Sequence, residues 1–160
     1  MTVVCNATPL INFAAINRLN ILQEIFGRVL IPQAVYQETT VSSFIWSQFI
    51  VQAVTCGWLE IHTVAKIDPI ISTELDDGER EAIALALETG IHKILLDERE
   101  ARQVAKNMEL KLIGTLGILL LAKEKQIIDQ VKPLLDEMID IAQYWVNPKL
   151  YEQVLKQAGE

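Results

Sequence analysis

Residues 3–10 read VVCNATPL, and this stretch decides the fold class that we predict for the chain. Its first three residues are apolar on consecutive positions, which is typical of a central strand buried on both faces. Asn6 follows this strand directly. Thr8 and Pro9 then predict the start of a helix, with Thr8 as its N-cap and proline at the first helical position. A strand followed at once by a helix is the repeating unit of an α/β domain.

The same alternation continues along the chain. Apolar runs predict further strands over residues 29–31, 58–61, 94–96 and 112–113, with 58–61 as an edge strand. Helical patterns separate these runs and fill the end of the chain, over residues 19–26, 32–39, 75–89, 97–107, 116–125, 127–141 and 148–158. A further helix is expected to begin at Ser42 or Ser43 and to end near Gly57. We therefore predict one domain over residues 1–160, a three-layer α/β/α sandwich with a central, mostly parallel sheet.

Composition excludes several classes of protein. The chain has 160 residues, 51% of them hydrophobic and 22% charged, which suits one folded domain with a real core. Two cysteines cannot make a disulfide framework, and together with two histidines they argue against a structural zinc site. The net charge of −7 argues against binding nucleic acid by bulk positive charge, but it leaves room for an approach through a bound cation.

The sequence also bears on where the protein works. Its most apolar run, residues 112–122, is too short to span a membrane and contains Gly114 and Gly117. The first residues lack the basic and apolar regions of a signal peptide. We expect a cytoplasmic protein with no membrane association and with both thiols reduced.

Four polar residues are placed where chemistry is expected. Asn6 and Asp97 each follow an apolar strand, and ligands of open parallel sheets bind beyond the carboxyl ends of the strands. Glu79 lies on the apolar stripe of its helix, and Glu38 lies on the inward side of a shorter one. A buried carboxylate is costly unless something pairs with it, and several acids around one divalent cation would meet that cost.

Ordinary structural roles could also explain each of these residues. Asp76 with Glu79, and Asp97 with Glu100, fit the spacing of a capping box. Asn6 could be a turn residue, and Glu38 could be a surface acid. The sequence alone leaves these alternatives open.

Five short segments resemble PIN domains of the VapC-like branch. They are residues 4–11, 31–38, 77–83, 95–102 and 114–117, which read VCNATPLI, IPQAVYQE, DGEREAI, LLDEREAR and GTLG. Together they extend over nearly the whole chain. The resemblance implies a metal-dependent ribonuclease that uses Mg²⁺ or Mn²⁺, in many cases the toxin of a toxin–antitoxin pair. RNA would be the substrate, and an antitoxin protein would be a partner.

The resemblance also implies roles for individual residues. Glu38, Glu79 and Asp97 would be catalytic, and the metal ligands would be Asn6, Glu79, Asp97 and Glu98. Thr8 and Thr115 would orient the ligands or the attacking water and contact the substrate. The family commonly has Asp at the first position, where this chain has Asn6. The loss of one charge predicts weaker metal binding, so the alternative is a weak or inactive PIN-fold module that acts by binding protein or nucleic acid.

Two helix faces and one rival class complete the prediction. Arg99, Arg102 and Lys106 share one face of a helix and could contact phosphates, unless they form an ordinary solvated face. The apolar helix over 44–54 could be covered by a second copy of the chain or by an antitoxin, or could be buried within the domain.

The C-terminal segment with Tyr144 is expected to pack on the core without a chemical role. A nucleotide-binding protein is poorly supported, because neither glycine-rich phosphate motif occurs.

Overall fold

The structure is a computed structural model that describes residues 1–41 and 44–160. Its sheet has five strands, all of them paired in parallel, in the order β3-β2-β1-β4-β5. The strands are β1 Thr2–Cys5, β2 Arg28–Pro32, β3 Leu59–His62, β4 Lys93–Leu95 and β5 Lys111–Ile113. The predicted α/β sandwich is confirmed, with β1 and β4 inside the sheet and β3 at an edge.

The strand order reverses direction between β1 and β4. The chain passes from β1 outward to β2 and β3, and then returns to place β4 on the other side of β1. Cys5 pairs with Leu95 at the carboxyl ends of these two strands, and the Asn6 amide donates to the Leu95 carbonyl at 2.9 Å. The residues that follow β1 and β4 are therefore neighbours at the switch point of the sheet, where ligands of such folds bind.

Helices cover both faces of the sheet. They are α1 Ala7–Ala15, α2 Asn20–Phe26, α3 Gln33–Thr40, α4 Ile45–Thr55, α5 Asp77–Thr89, α6 Arg99–Asn107, α7 Thr115–Glu124, α8 Val131–Ile141 and α9 Pro148–Gln157. The proposed start of the fourth helix at Ser42 or Ser43 lies outside the described residues. Within the parts of the chain that the structure describes, no helix is long and apolar enough to cross a membrane.

The start of α1 differs from the prediction. The helix begins at Ala7 with Asn6 in the N-cap position, so Thr8 is not the N-cap and Pro9 is the third helical residue. Proline is tolerated there because the amides of the first turn have no partner within the helix. The Thr8 hydroxyl is instead used in a contact between elements, described below.

The core has two parts, one on each face of the sheet. Val3 and Cys5 of β1 point into one part, and Val4 points into the other, because side chains alternate along a strand. The larger part includes Phe13 and Phe26, and the smaller lies under α5 and α6. These two layers of apolar side chains hold the sheet between its helices.

The apolar helix α4 is buried along one stripe only. Ile50 and Ala53 are buried, and Trp46 and Phe49 pack against the larger core. Phe44 and Ile45, at the start of the helix, are 52% and 71% exposed. The interpretation of burial within the domain therefore holds for the main stripe but not for the residues beside it.

Candidate active site

Asn6 lies at the centre of the candidate site. Its side chain is buried, with 2% exposure, yet it makes no capping hydrogen bond to α1. Its Nδ2 donates to Glu98 Oε2 at 3.2 Å. Its Oδ1 is buried and has no hydrogen-bond partner. Since buried polar atoms are nearly always satisfied, this unpaired amide oxygen is a candidate for binding a ligand.

Glu98 connects the segment after β4 to the start of α1. One carboxylate oxygen accepts from Asn6 Nδ2, and the other accepts from the Thr8 hydroxyl. Glu98 is also in the N-cap position of α6, where its side chain makes no capping bond. Thr8 and Asn6 thus orient one of the two adjacent acids toward the switch point.

Asp97, next to Glu98 in the chain, is held from the start of α7. Its Oδ1 accepts from the Thr115 amide at 2.8 Å, and its Oδ2 accepts from the Thr115 hydroxyl at 2.5 Å. The predicted capping box between Asp97 and Glu100 is therefore wrong, because both carboxylate oxygens bind Thr115 and α6 begins at Arg99. Thr115 is fully buried, so it can act on a substrate only through Asp97.

Glu38 approaches the site from α3. We predicted that it would lie on the inward side of its helix, but the residue is exposed. Its carboxylate nevertheless reaches the space beside Gly78, where a Cβ would lie 2.9 Å from Glu38 Oε2 and 3.5 Å from Asn6 Oδ1. The absence of a side chain at Gly78 therefore lets the Glu38 carboxylate and the vacant oxygen of Asn6 face the same small space.

Glu79 has a structural role at the start of α5. Asp76 Oδ1 accepts from the Glu79 amide at 2.7 Å, and Glu79 Oε2 accepts from the Asp76 amide at 3.0 Å. This is the capping box that the sequence offered as the alternative explanation. It fixes Glu79 at the edge of the site but uses one of its carboxylate oxygens.

Burial, with a smaller effect of neighbouring negative charges, raises the pKa of three acids of the site. Burial, followed by the negative charges of Asp76 and Glu98, raises the pKa of Glu38 above its usual value. Burial also raises the pKa of Glu79, despite the backbone hydrogen bond within the capping box. Burial raises the pKa of Asp97 as well, against the opposing hydrogen bonds from Thr115. None of the ion pairs among the described residues includes these acids, and the positive charge of Arg102, the smallest of the causes acting on Asp97, only partly opposes the rise in its pKa.

The donor set fits a hard divalent cation. Carboxylate and amide oxygens are the ligands that Mg²⁺ takes, and the unpaired Asn6 Oδ1 is such a donor. Across residues 1–41 and 44–160, no group of three Asp, Glu, His or Cys side chains is placed to hold a metal by itself. Mg²⁺ usually keeps several waters and binds one or two carboxylates, so the residues present fit a sparse site of this kind.

A groove beside Asp97 carries the basic side chains of α6. It has a volume of about 370 Å³, and its lining residues are Asp97, Arg99, Arg102, Gln103, Lys106 and Leu112. Arg99 and Lys106 are exposed, whereas Arg102 is partly buried and donates from Nη1 to the Leu96 carbonyl at 2.8 Å. The three basic residues thus lie along one groove, with Arg102 bonded at its wall and Arg99 and Lys106 exposed.

Two polar residues near Asp97 were not identified from the sequence. Asn12 is buried in α1, with 3% exposure, and its Nδ2 donates to Thr115 Oγ1 at 3.1 Å. Tyr144 lies near Asp97 and Thr115, and burial together with the Asp97 charge raises its pKa. Asn12 could have been noticed as a polar residue beside apolar Phe13 and Ala14. Tyr144 gave no signal, because it follows the end of α8 and reaches the site only through the fold.

The fold and the site together define a class of protein. It is a parallel α/β sandwich whose central strands end in a pocket of acidic and amide side chains. The family model DUF3368, described as a PIN domain, matches residues 2–160, so the chain belongs to the PIN domain family. PIN domains are typically nucleases and typically use divalent metals. No curated protein and no solved structure matches the chain at a significant level.

Proposed function

We propose that this protein is a ribonuclease that hydrolyses phosphodiester bonds of RNA with the help of Mg²⁺ or Mn²⁺. The observation that carries the proposal is the buried, unpartnered Oδ1 of Asn6, which faces the same space as the Glu38 carboxylate at the switch point. An acidic pocket repels a phosphodiester by itself. A bound cation reverses that local charge, which makes the pocket suitable for RNA.

In the proposed mechanism, Asn6 and carboxylates drawn from Glu79, Asp97 and Glu98 would hold the cation. When bound, the cation would supply a Lewis acid for the phosphoryl oxygen and would lower the pKa of a coordinated water. Glu38 is the exposed carboxylate of the set, and its raised pKa suits a general base that takes a proton from the attacking water. The hydrogen bonds from Thr8 and Thr115 hold Glu98 and Asp97 in place, which avoids reorganisation during the reaction.

The groove of α6 supports RNA as the substrate. Arg99 and Lys106 are exposed along it and can contact phosphate groups on either side of the one that reacts. Arg102 is held by the Leu96 carbonyl and lies beside Asp97, so it supports the wall of the groove as well as its charge. This basic strip allows a chain with a net charge of −7 to bind a polyanion at one place.

Cleavage of a mixed RNA pool in the presence of Mn²⁺ tests the proposal. Asp97→Asn and Glu38→Gln should each lower the cleavage rate by about 100-fold or more, because each removes a group that acts in the reaction. Asp140→Asn and Glu137→Gln make the same chemical changes at exposed positions of α8 and should leave the rate unchanged. Equal rates in all five proteins, or cleavage that persists in EDTA, would show that the site is not responsible.

The alternative function is a PIN-fold module that binds RNA or protein without cleaving it. Asn6 favours this alternative, because it supplies no charge to the metal and its Nδ2 occupies Glu98. If the natural chain does not cleave RNA and Asn6→Asp does, the site has lost activity on an intact scaffold. If neither protein binds Mn²⁺, the binding module replaces the nuclease as the proposed function.

We also propose that the protein works with a protein partner, either a second copy in a homodimer or an antitoxin. Val41, directly after α3, and Phe44 and Ile45, at the start of α4, are exposed apolar residues, with exposures of 81%, 52% and 71%. Exposed apolar groups of this kind commonly mark a protein interface. Light scattering after gel filtration should show a dimer that Ile45→Glu dissociates, whereas a monomer at high concentration would exclude the homodimer.

A further inference from the structure

A directed chain of hydrogen bonds connects α1 to Asp97. Asn12 Nδ2 donates to Thr115 Oγ1 at 3.1 Å, and Thr115 Oγ1 donates to Asp97 Oδ2 at 2.5 Å. Asn12 is 3% exposed and Thr115 is fully buried. Bulk water therefore cannot replace either member of the chain. A buried amide in a helix that otherwise packs apolar residues against the core requires an explanation.

The hydrogen bond to Asp97 fixes the direction of the chain. A metal-binding carboxylate is ionised and has no proton to donate, so the single proton of the Thr115 hydroxyl is the one shared between Thr115 Oγ1 and Asp97 Oδ2. The Thr115 proton is therefore used on the carboxylate. Asn12 must then present its NH₂ group to the Thr115 oxygen, because its carbonyl oxygen would face lone pairs.

Asn12 thereby selects the orientation of the Thr115 hydroxyl. An acceptor at position 12 would compete with Asp97 for the same proton, whereas a donor cannot. The backbone amide of Thr115 donates to the other oxygen of Asp97 at 2.8 Å, so the carboxylate is held at both oxygens. Thr115 thus sets the plane of the carboxylate through two hydrogen bonds. The one from its hydroxyl depends on Asn12.

We propose that Asn12 is a positioning residue for Asp97, acting through Thr115 to aim the carboxylate into the candidate metal site. This inference rests on the proposed function, because it assigns Asp97 to that site. Groups that orient a metal ligand by hydrogen bonds, without contacting the metal, typically contribute a factor of about 10–100 to metal affinity. Asn12 would contribute in this way without contacting metal or RNA.

The first experiment measures Mn²⁺ binding to the full chain by calorimetry, without RNA. Asn12→Asp keeps the shape of the side chain but replaces the donor by an acceptor, so the Thr115 proton is drawn away from Asp97. We expect its Mn²⁺ affinity to fall by about 10-fold or more. Asn12→Leu removes the donor without adding an acceptor, and its affinity should fall by less. Asn17→Asp makes the same change at an exposed position just beyond α1 and should bind Mn²⁺ as the natural chain does.

Thermal unfolding of each variant separates positioning from loss of the fold. Affinities within twofold of the natural chain for folded Asn12→Asp and Asn12→Leu would overturn the proposal. An affinity that falls equally in both variants would also overturn it, since a purely structural role makes no distinction between a lost donor and an added acceptor. If Asn12→Asp does not fold, the proposal stands or falls on whether Asn12→Leu binds Mn²⁺ more weakly than Asn17→Asp.

A second measurement does not depend on metal or activity. In the metal-free natural chain, NMR should show a slowly exchanging Thr115 hydroxyl proton with a close contact to the Asn12 amide protons. Rapid exchange of that hydroxyl would overturn the inference even if the protein cleaves RNA. Conversely, a protein that binds Mn²⁺ but does not cleave RNA would end the proposed nuclease function and leave the role of Asn12 intact.

Discussion

The two polar atoms of the Asn6 side chain have different surroundings. Its NH₂ group donates to Glu98, which a carboxylate at this position could not do, and its oxygen remains free. The metal-free protein thus avoids placing two negative charges within hydrogen-bond distance. A cation bound at the free oxygen would have a neutral amide ligand, which binds it more weakly than a carboxylate would.

The variant Asn6→Asp should therefore have opposite effects with and without metal. Without metal, the free energy of unfolding should fall by about 1–3 kcal/mol, because Glu98 loses a buried donor and gains a like charge. With Mn²⁺, the variant should gain more stability than the natural chain, since a ligand that binds the folded state more tightly stabilises it more. Urea denaturation with EDTA or with Mn²⁺ measures both effects, and a variant destabilised equally in both would argue against a cation at this place.

At the scale of elements, the site is built from the starts of helices. Asn6 precedes α1, Glu98 precedes α6, and Thr115 is the first residue of α7. The first amides of a helix lack partners within it and carry a partial positive charge. The carboxylates of the site therefore lie where helix starts partly offset their charge.

The capping box at the start of α5 gives a prediction for one element. Asp76→Ala should lower the free energy of unfolding by about 1 kcal/mol, because the Glu79 amide loses its acceptor. Asp77→Ala removes the neighbouring acid, which is not part of the capping box, and should cost less. Chemical denaturation of both variants makes the comparison, and equal losses would mean that the box contributes little.

Gly114 gives a second prediction, at the junction between β5 and α7. A Cβ there would lie 2.9 Å from both Asp97 Oδ1 and Arg102 Nη1, and each of these atoms is held by a hydrogen bond. Gly114→Ala should therefore displace the carboxylate and lower RNA cleavage by about 100-fold, as displacements near 1 Å can do. Gly117→Ala, on the same helix, meets only Ile113 at 3.4 Å and serves as the control. Normal activity in Gly114→Ala would show that Asp97 tolerates displacement.

At the scale of the whole molecule, charge is distributed unevenly. The chain has 21 acidic and 14 basic residues, yet the acids of the switch point adjoin a groove with exposed Arg99 and Lys106. A polyanion could therefore approach along the groove while a cation occupies the acidic end. Neither feature alone would suit RNA, and the fold is what places them side by side.

This arrangement predicts how the stability of the metal-free protein depends on pH. The pKa of Glu38 is raised above its usual 4.5, and that of Asp97 above its usual 3.8. An acid with a higher pKa in the folded state binds its proton more tightly when folded, so its stabilising effect is lost as pH rises through the raised value. The free energy of unfolding in EDTA should therefore decrease as pH rises above 4.5.

Denaturation across a pH series measures this slope. Glu38→Gln should reduce it, whereas Glu137→Gln removes the same net charge from an exposed position and should not. Asp136 does not interfere, because the hydrogen bond from Lys132 lowers its pKa below 3.8 and so moves its titration out of this range. Excess Mg²⁺ should abolish the decrease. A slope that is unchanged in Glu38→Gln would mean that Glu38 is not part of the coupled group.

The sequence by itself determined the order of strands and helices and the residues at the strand ends. Consecutive apolar residues such as 3–5 and 94–96 specify buried parallel strands. A polar residue directly after such a strand must lie at the carboxyl end of the sheet. The Asp76–Glu79 capping box was also visible, because its partners are three residues apart. These features depend on local spacing, which the sequence states directly.

Only the tertiary structure decided what each side chain contacts. Thr8, which we predicted to be an N-cap, instead donates to Glu98, a residue 90 positions away in the chain. The relay from Asn12 to Thr115 joins residues 103 positions apart. Asp97 binds Thr115 rather than capping its own helix with Glu100, because the fold brings the start of α7, 18 positions along the chain, beside it. Local patterns contain no information about such pairs, because the free energy that selects them comes from burying the core and satisfying every polar group at once.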